Sequence, residues 1–358
     1  HPLRVELVEE VHQIPVLIHS SAGLRHRQPG APERKAAAGG IEQVRGDVLL
    51  LTGDTLGAQQ AWFSALVLAE RSLRNDHPAL VEILRRLGIA ASSLGNLADA
   101  RRLAERAREI GERSLAPCDP ARVGLVIAVG LSLRYEGEYG DARKLYRSAL
   151  SNLRACANAG SAHASSDVEA SLVFNDADVA RDVGDLGEAD ALYEQAIDIW
   201  SKGLGPDHPF VATGIDALAE VVAARGQTRR ARVLYERALA GRRRSLGRTH
   251  PQVAWTLTNL AKTTADEGNV SAALRYLDEA ITIYKKARAS YEPDHLARVL
   301  ELRGLLEARR GNLKTARASL TDALNERTRI FGESHPLVAV FVQQMPQIPG
   351  PVADVDLR

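Results

Sequence analysis

Three groups of residues in this chain of 358 have types and spacings that could do chemistry. Cys156 and His163 stand seven apart, a candidate thiol nucleophile and base. His12 and His19 stand seven apart in "HQIPVLIHS", a candidate pair of metal ligands. His77-Pro78, His208-Pro209, His250-Pro251 and His335-Pro336, joined by Asp119-Pro120, put a polar acceptor before a proline again and again. The first pair falls in "ACANAGSAHASS", whose small residues read as a loop. The second is interrupted by Pro15, which would break the helix needed to align the two imidazoles. The His-Pro pairs suit a different task. Proline is tolerated in a first helical turn, where its missing N–H has no partner in any case, and the residue before it can cap the helix. These histidines are expected to open helices rather than to bind metal.

The remaining signatures exclude more than they assign. No glycine-rich loop ending in Lys-Ser/Thr and no HExxH occurs, so no nucleotide, metal or other cofactor is expected and the chain is not expected to be an enzyme. Cys118 and Cys156 form no CxxC and no ligand spacing with His. Neither a disulfide nor a structural zinc is expected from them, and a reducing, cytoplasmic location fits. The formal net charge is +1, and the basic cluster "GRRRSLGR" sits where a helix C-terminus would favour cations. Neither feature points to nucleic acid. The longest apolar run, "GLVIAVGL", is too short to cross a membrane. The first residue is His1 and the only methionine is Met345, so the chain is expected to be cut from something longer.

A ruler runs through the sequence. Glycine stands at 53, 95, 137, 184, 226, 268 and 311, in steps of 42, 42, 47, 42, 42 and 43. Five residues after each glycine is alanine: Ala58, Ala100, Ala142, Ala189, Ala231, Ala273 and Ala316. Twelve after it is alanine again: Ala65, Ala107, Ala149, Ala196, Ala238, Ala280 and Ala323. Seven before it is a small residue: Gly46, Gly88, Gly130, Ala177, Ala219, Ala261 and Gly304. Alanines seven apart share one helix face, two turns apart, and allow close approach of a neighbouring helix. Tyr146, Tyr193, Tyr235, Leu277 and Leu320 lie between them as knobs. The glycine supplies the turn. Each unit is therefore a helical hairpin that buries its apolar face only by stacking on its neighbours. The 47-residue step is explained by a five-residue insertion around "ACANAGSAHASS".

This pattern of small residue, turn glycine, alanine, knob and alanine resembles the tetratricopeptide repeat, with eight residues more than its usual 34. "LGPDHPFVATGIDALAEVVAARGQTRRARVLYERALAGRRRSLG" and "THPQVAWTLTNLAKTTADEGNVSAALRYLDEAITIYKKA" are similar to its kinesin-light-chain-like subclass. The resemblance implies an all-α solenoid, a right-handed superhelix of about seven helix–turn–helix units over residues 41–341. An irregular segment, 1–40, precedes the array and an extended tail, 342–358, follows it. The resemblance also implies a concave groove lined by the first helix of each unit, which holds a peptide or a partner helix.

In that subclass asparagines of an "NNLA" stretch bond the peptide backbone. Here "TNLA" keeps one of them as Asn259, and Asn175 occupies the equivalent place, while other units put Val44, Arg86, Ala128, Ala217 and Leu302 there. A full asparagine ladder is absent. Arg85, Arg134, Arg181, Trp255, Lys262 and Arg298 fall on the same implied face, mixed with Asp178, Asp216, Glu220 and Asp266. The expected peptide-binding set is Asn175, Asn259, Arg134, Arg181, Trp255 and Lys262, and it would suit an acidic protein or peptide with an apolar anchor. The function expected is a non-enzymatic interaction scaffold. The alternative is the sensor arm of a larger enzyme, a CHAT-type peptidase or an NB-ARC-type ATPase, whose catalytic part lies outside this chain.

Overall fold

The computed structural model describes residues 31–51, 55–94, 96–116, 118–159, 166–287, 294–333 and 338–339. Gly53, Gly95, His12, His19, His163, His335 and the expected tail at 342–358 lie outside them. The described residues contain fourteen helices and no strand. In chain order they are α1 Ala31–Leu51, α2 Thr55–Glu70, α3 Leu80–Ser93, α4 Leu97–Ser114, α5 Pro120–Glu136, α6 Tyr139–Asn158, α7 Ser166–Asp182 and α8 Leu186–Leu204. Then follow α9 Pro209–Ala224, α10 Thr228–Ser245, α11 Pro251–Asp266, α12 Val270–Lys286, α13 His295–Arg309 and α14 Leu313–Phe331. They pair as hairpins in the α-solenoid manner, α1 with α2 through α13 with α14. The first of them begins at Ala31, ahead of the expected start of the array at 41. Two compact units are present, His1–Pro206 with α1–α8 and Asp207–Arg358 with α9–α14.

The turns follow the ruler. Gly137, Gly184, Gly226, Gly268 and Gly311 all have φ between 76° and 87°, a left-handed conformation that side chains resist. Gly205, Gly247 and Gly332 also have positive φ, at 91°, 85° and 82°. Each lies 21 after a ruler glycine, a second hinge that closes the hairpin and leads to the next His-Pro. Three helix starts are capped in this way: Nδ1 of His208 and His250 accepts from the backbone N–H of Phe210 and Gln252 at 3.2 Å, and Asp119 Oδ1 accepts from Ala121 at 2.9 Å. Nδ1 of His77 accepts from Ala79 at 3.1 Å in the turn before α3, whose own N-cap is Ala79.

Packing inside each hairpin depends on size. In six of the seven hairpins the small residue before the turn faces a large knob nine after it; in α3–α4 that place holds Ala104, and a Cβ on Gly88 would stand 3.2 Å from Ala100 O. A Cβ on Gly130 would collide with the Tyr146 ring, one on Gly46 with Trp62, and one on Gly304 would stand 2.6 Å from Leu320 Cγ. Where the small residue is Ala177, Ala219 or Ala261, the knobs Tyr193, Tyr235 and Leu277 are equally buried. Trp62 is a further knob, held by bonds from Nε1 to Gln43 O and Asp47 Oδ1 at 3.2 and 3.1 Å. Thirteen of the fourteen ruler alanines are completely buried. Ala149 alone is half-exposed.

The expectation for the cysteines is corrected. Cys118 and Cys156 form a disulfide, with Cα atoms 5.7 Å apart across a separation of 38 residues. The spacing in sequence conceals this contact, because antiparallel packing sets the start of α5 beside the end of α6. Closing a loop of that length is worth about 4 kcal/mol by chain-entropy arguments.

Replacing Ala189 by Leu is expected to destabilise the protein by about 1–3 kcal/mol through overpacking. Ala149→Leu should cost much less, because Ala149 is only partly buried. Denaturant unfolding of both variants checks this, and equal costs would contradict it.

Candidate functional site

The first helices of successive hairpins bear on one another through fixed positions of the repeat. In the first unit, the residue nine before the α3 turn, Arg86, pairs with Asp47 six before the α1 turn. In the second unit the same two positions hold Asn259 of α11 and Glu220 of α9, and Asn259 Nδ2 donates to Glu220 Oε1 at 3.3 Å. A second rung ties the residue six after one turn to the residue just before the next. Arg101 meets Glu136 at 2.5 Å and Arg232 meets Glu267 at 2.9 Å. These polar rungs set the spacing of neighbouring helices, and they decide which candidate residues remain accessible.

In the first unit the candidates are absorbed into the fold. Arg134 of α5, expected on the binding face, is 1% exposed. Its Nε meets Asp182 at 2.5 Å and Nη1 meets Asp178 at 3.2 Å, both on α7. Helical periodicity alone puts Arg134 on the implied face, and the facing carboxylates of the next first helix then cover it. Burial works against its charge, but Asp178 and Asp182 outweigh that, so the guanidinium holds its proton more tightly than usual. Asn175 is likewise buried, and its Nδ2 donates to Ser171 O at 2.7 Å, within its own helix. Arg181 is half-buried beside Asp182 at 3.3 Å. Arg85 is held by Glu82 at 2.7 Å.

The buried Asp178 also accepts from the Tyr193 hydroxyl. Burial pushes its carboxyl up to about 6, against the pull of Arg134 and the Tyr193 bond. A comparable node in the second unit was not visible in the sequence. Arg242 of α10 is fully buried between Asp216 of α9, at 3.4 Å, and Gln252 O and Thr256 of α11. Burial raises the Asp216 carboxyl, opposed by the Arg242 charge. The signal that could have revealed Arg242 is its place within a second helix, four residues after the ruler alanine Ala238 on the buried face.

In the second unit several candidates stay within reach of solvent. Trp255, Asn259 and Lys262 follow one another at i, i+4 and i+7 along α11, so they form one stripe. Trp255 and Asn259 are half-buried and Lys262 is exposed. The Trp255 ring lies 5.1 Å from that of His295 on α13. Lys262 makes no ion pair among the described residues. Asp266 is exposed one turn further on, and Arg298 is half-buried on α13.

The family model for the tetratricopeptide repeat matches residues 41–113, 168–244 and 215–286, more than half of the chain. No curated protein sequence matches the chain. Among solved structures, BtubC (BKLC) from P. vanneervenii is 23% identical with a TM-score of 0.58, over 67% of this chain and 92% of that one. A Rap protein complexed with competence and sporulation factor is 13% identical with a TM-score of 0.61, over 87% of this chain and 79% of that one. The signal transduction ATPase PH0952 from Pyrococcus horikoshii, which has a tetratricopeptide repeat sensor, is 16% identical with a TM-score of 0.57, over 89% of this chain and 44% of that one. At these identities the likeness is one of fold.

Because the folded Asp178 carboxyl titrates near 6 and the ordinary value is 3.8, the folded state binds this proton more tightly. Its contribution to stability is therefore present below 3.8 and is lost as pH rises through about 6. Asp178→Asn is expected to remove that part of the pH dependence of the melting temperature. A variant whose pH profile parallels the parent's over this window would contradict the assignment.

Proposed function

This chain belongs to the tetratricopeptide repeat family, and on that premise we propose that it is a non-enzymatic interaction scaffold that takes a peptide or partner helix along its first helices. The observation that carries this reading is the α11 stripe, where Trp255, Asn259 and Lys262 offer an aromatic surface, an amide and an unpaired cation on one face. The aromatic face suits an apolar anchor. The amide offers both donor and acceptor to an extended backbone. The ammonium suits a carboxylate. The preferred occupant is thus an acidic peptide carrying an apolar or aromatic residue. Arg181 stands as a secondary contributor in the first unit. Arg134 serves the first unit's surface from below, by tying α5 to α7 through Asp178 and Asp182, and Asn175 bonds within α7.

A second reading is supported by one finding. The chain shares its fold with part of an ATPase whose repeat array is a sensor, so a role as the sensor arm of a larger enzyme remains a proposal beside the first. The gene sequence on either side of this chain distinguishes the two.

No helix among the described residues is long and apolar enough to cross a membrane. The cytoplasmic location expected from free thiols loses that support, since the thiols are joined. Disulfides persist where thiols are not kept reduced.

Selection of displayed peptides on the intact chain is expected to enrich acidic sequences around an apolar anchor. Their affinity should fall about tenfold, or about 1.4 kcal/mol, in Lys262→Glu and in Trp255→Ala. It should also weaken with added salt, which screens exposed charges within about 8–10 Å. Selected peptides that bind both variants as tightly as the parent would place recognition elsewhere.

A further inference from the structure

The second helices carry a rung of their own at two junctions, and the junction of α4 with α6 is among those that lack it. Where second helices of neighbouring hairpins run side by side, the residue 17 after one turn meets the residue 11 after the next. Glu70 of α2 and Arg106 of α4 meet in this way at 2.7 Å, and in the second unit Arg243 of α10 and Glu279 of α12 meet at 2.6 Å. Between α4 and α6 the same positions hold Glu112 and Ser148. The serine is too short to span the gap. Glu112 turns back to Arg108 on its own helix, at 2.6 Å. Ala149, the one ruler alanine that is not completely buried, lies beside Ser148.

A cleft of about 470 Å³ opens at this point between α4, the start of α5 and α6. Leu125, Val126, Leu145, Ala149 and Leu153 give it apolar walls, and the Cys118–Cys156 disulfide borders it. Arg122 on its rim is half-buried, and its guanidinium makes no hydrogen bond or ion pair among the described residues. The rim carries two charges of each sign, but three are engaged within the fold: Glu112 pairs with Arg108 at 2.6 Å and Asp119 Oδ1 caps the Ala121 N–H, which leaves the Arg122 guanidinium as the rim charge without a bonded partner.

We propose that this cleft binds a small carboxylate with a flexible apolar body, the carboxylate on Arg122 and the body against Leu125, Leu145 and Ala149. A guanidinium grips a carboxylate through two parallel bonds. The volume is in the range of about 300–1,000 Å³ typical of small-ligand sites. The site lies between α4, α5 and α6 and is independent of the α11 stripe.

The test is calorimetric titration of the intact, oxidised chain with octanoate, and with octanol and acetate as comparisons. Octanoate is expected to saturate a single site and to bind at least about tenfold more tightly than either comparison. Arg122→Gln should erase its advantage over octanol. Ser148→Arg completes the missing rung with Glu112, so it should close the cleft and lower octanoate affinity by about tenfold or more without lowering the melting temperature. Ala149→Phe, which fills the cleft from the other wall, should do the same to binding. No saturable octanoate binding, octanol binding as tight as octanoate, or unchanged affinity in the folded Ser148→Arg or Ala149→Phe protein would each overturn the proposal.

Discussion

The distance between the two helices of one hairpin governs everything else in this chain. In six of the seven hairpins that distance is set where a residue with little or no side chain, seven before the turn, faces a large one nine after it; in α3–α4 Gly88 lies against the Ala100 backbone instead. Gly130 under Tyr146 and Gly304 under Leu320 are the plainest cases, since neither glycine has room for a methyl group. Once the hairpin closes to this spacing, the alanines five and twelve after the turn come into contact and disappear from solvent. The hairpin then presents flat faces to its neighbours, and stacking buries what one hairpin leaves bare. Glycines of positive φ at both ends of the second helix let the chain reverse without strain.

The polar residues divide according to this packing. Carboxylates and guanidinia at fixed repeat positions bridge neighbouring helices, as in Arg101–Glu136 and Arg232–Glu267. Where such groups are fully covered, as in Arg134–Asp178 and Arg242–Asp216, they cost desolvation and stabilise only as complete sets. Removing one partner would strand a buried charge. What is left for recognition is the remainder: side chains on the first-helix face that no neighbour claims, and the gap between second helices where a rung is missing.

Much of this was legible in the sequence. The ruler located the turns and the buried alanines, and His-Pro marked helix starts, because those features are local or strictly periodic. The disulfide was not legible, because the pairing of Cys118 with Cys156 follows from the antiparallel course of α5 and α6 and not from any short motif. Arg134 was misplaced for a related reason. Periodicity assigns a residue to a helix face, but the acids of the next hairpin decide whether that face is open. Lys262, six before its turn, stays accessible, because the position that faces it in the rung pattern, nine before the α13 turn, holds Leu302 and not an acid. The rungs themselves could have been read by aligning the units and comparing charges at matching positions.

The most direct test of the governing contact is a double-mutant cycle on Gly130 and Tyr146, read by denaturant unfolding. In an ordinary helix interior, Gly→Ala raises stability by about 1 kcal/mol. Here Gly130→Ala is predicted to lower stability in the parent, because the new methyl meets the Tyr146 ring. In a Tyr146→Ala background the same change is predicted to raise it, since the obstacle is gone. A Gly130→Ala effect of the same sign and size in both backgrounds would show that this contact does not set the spacing of the hairpin.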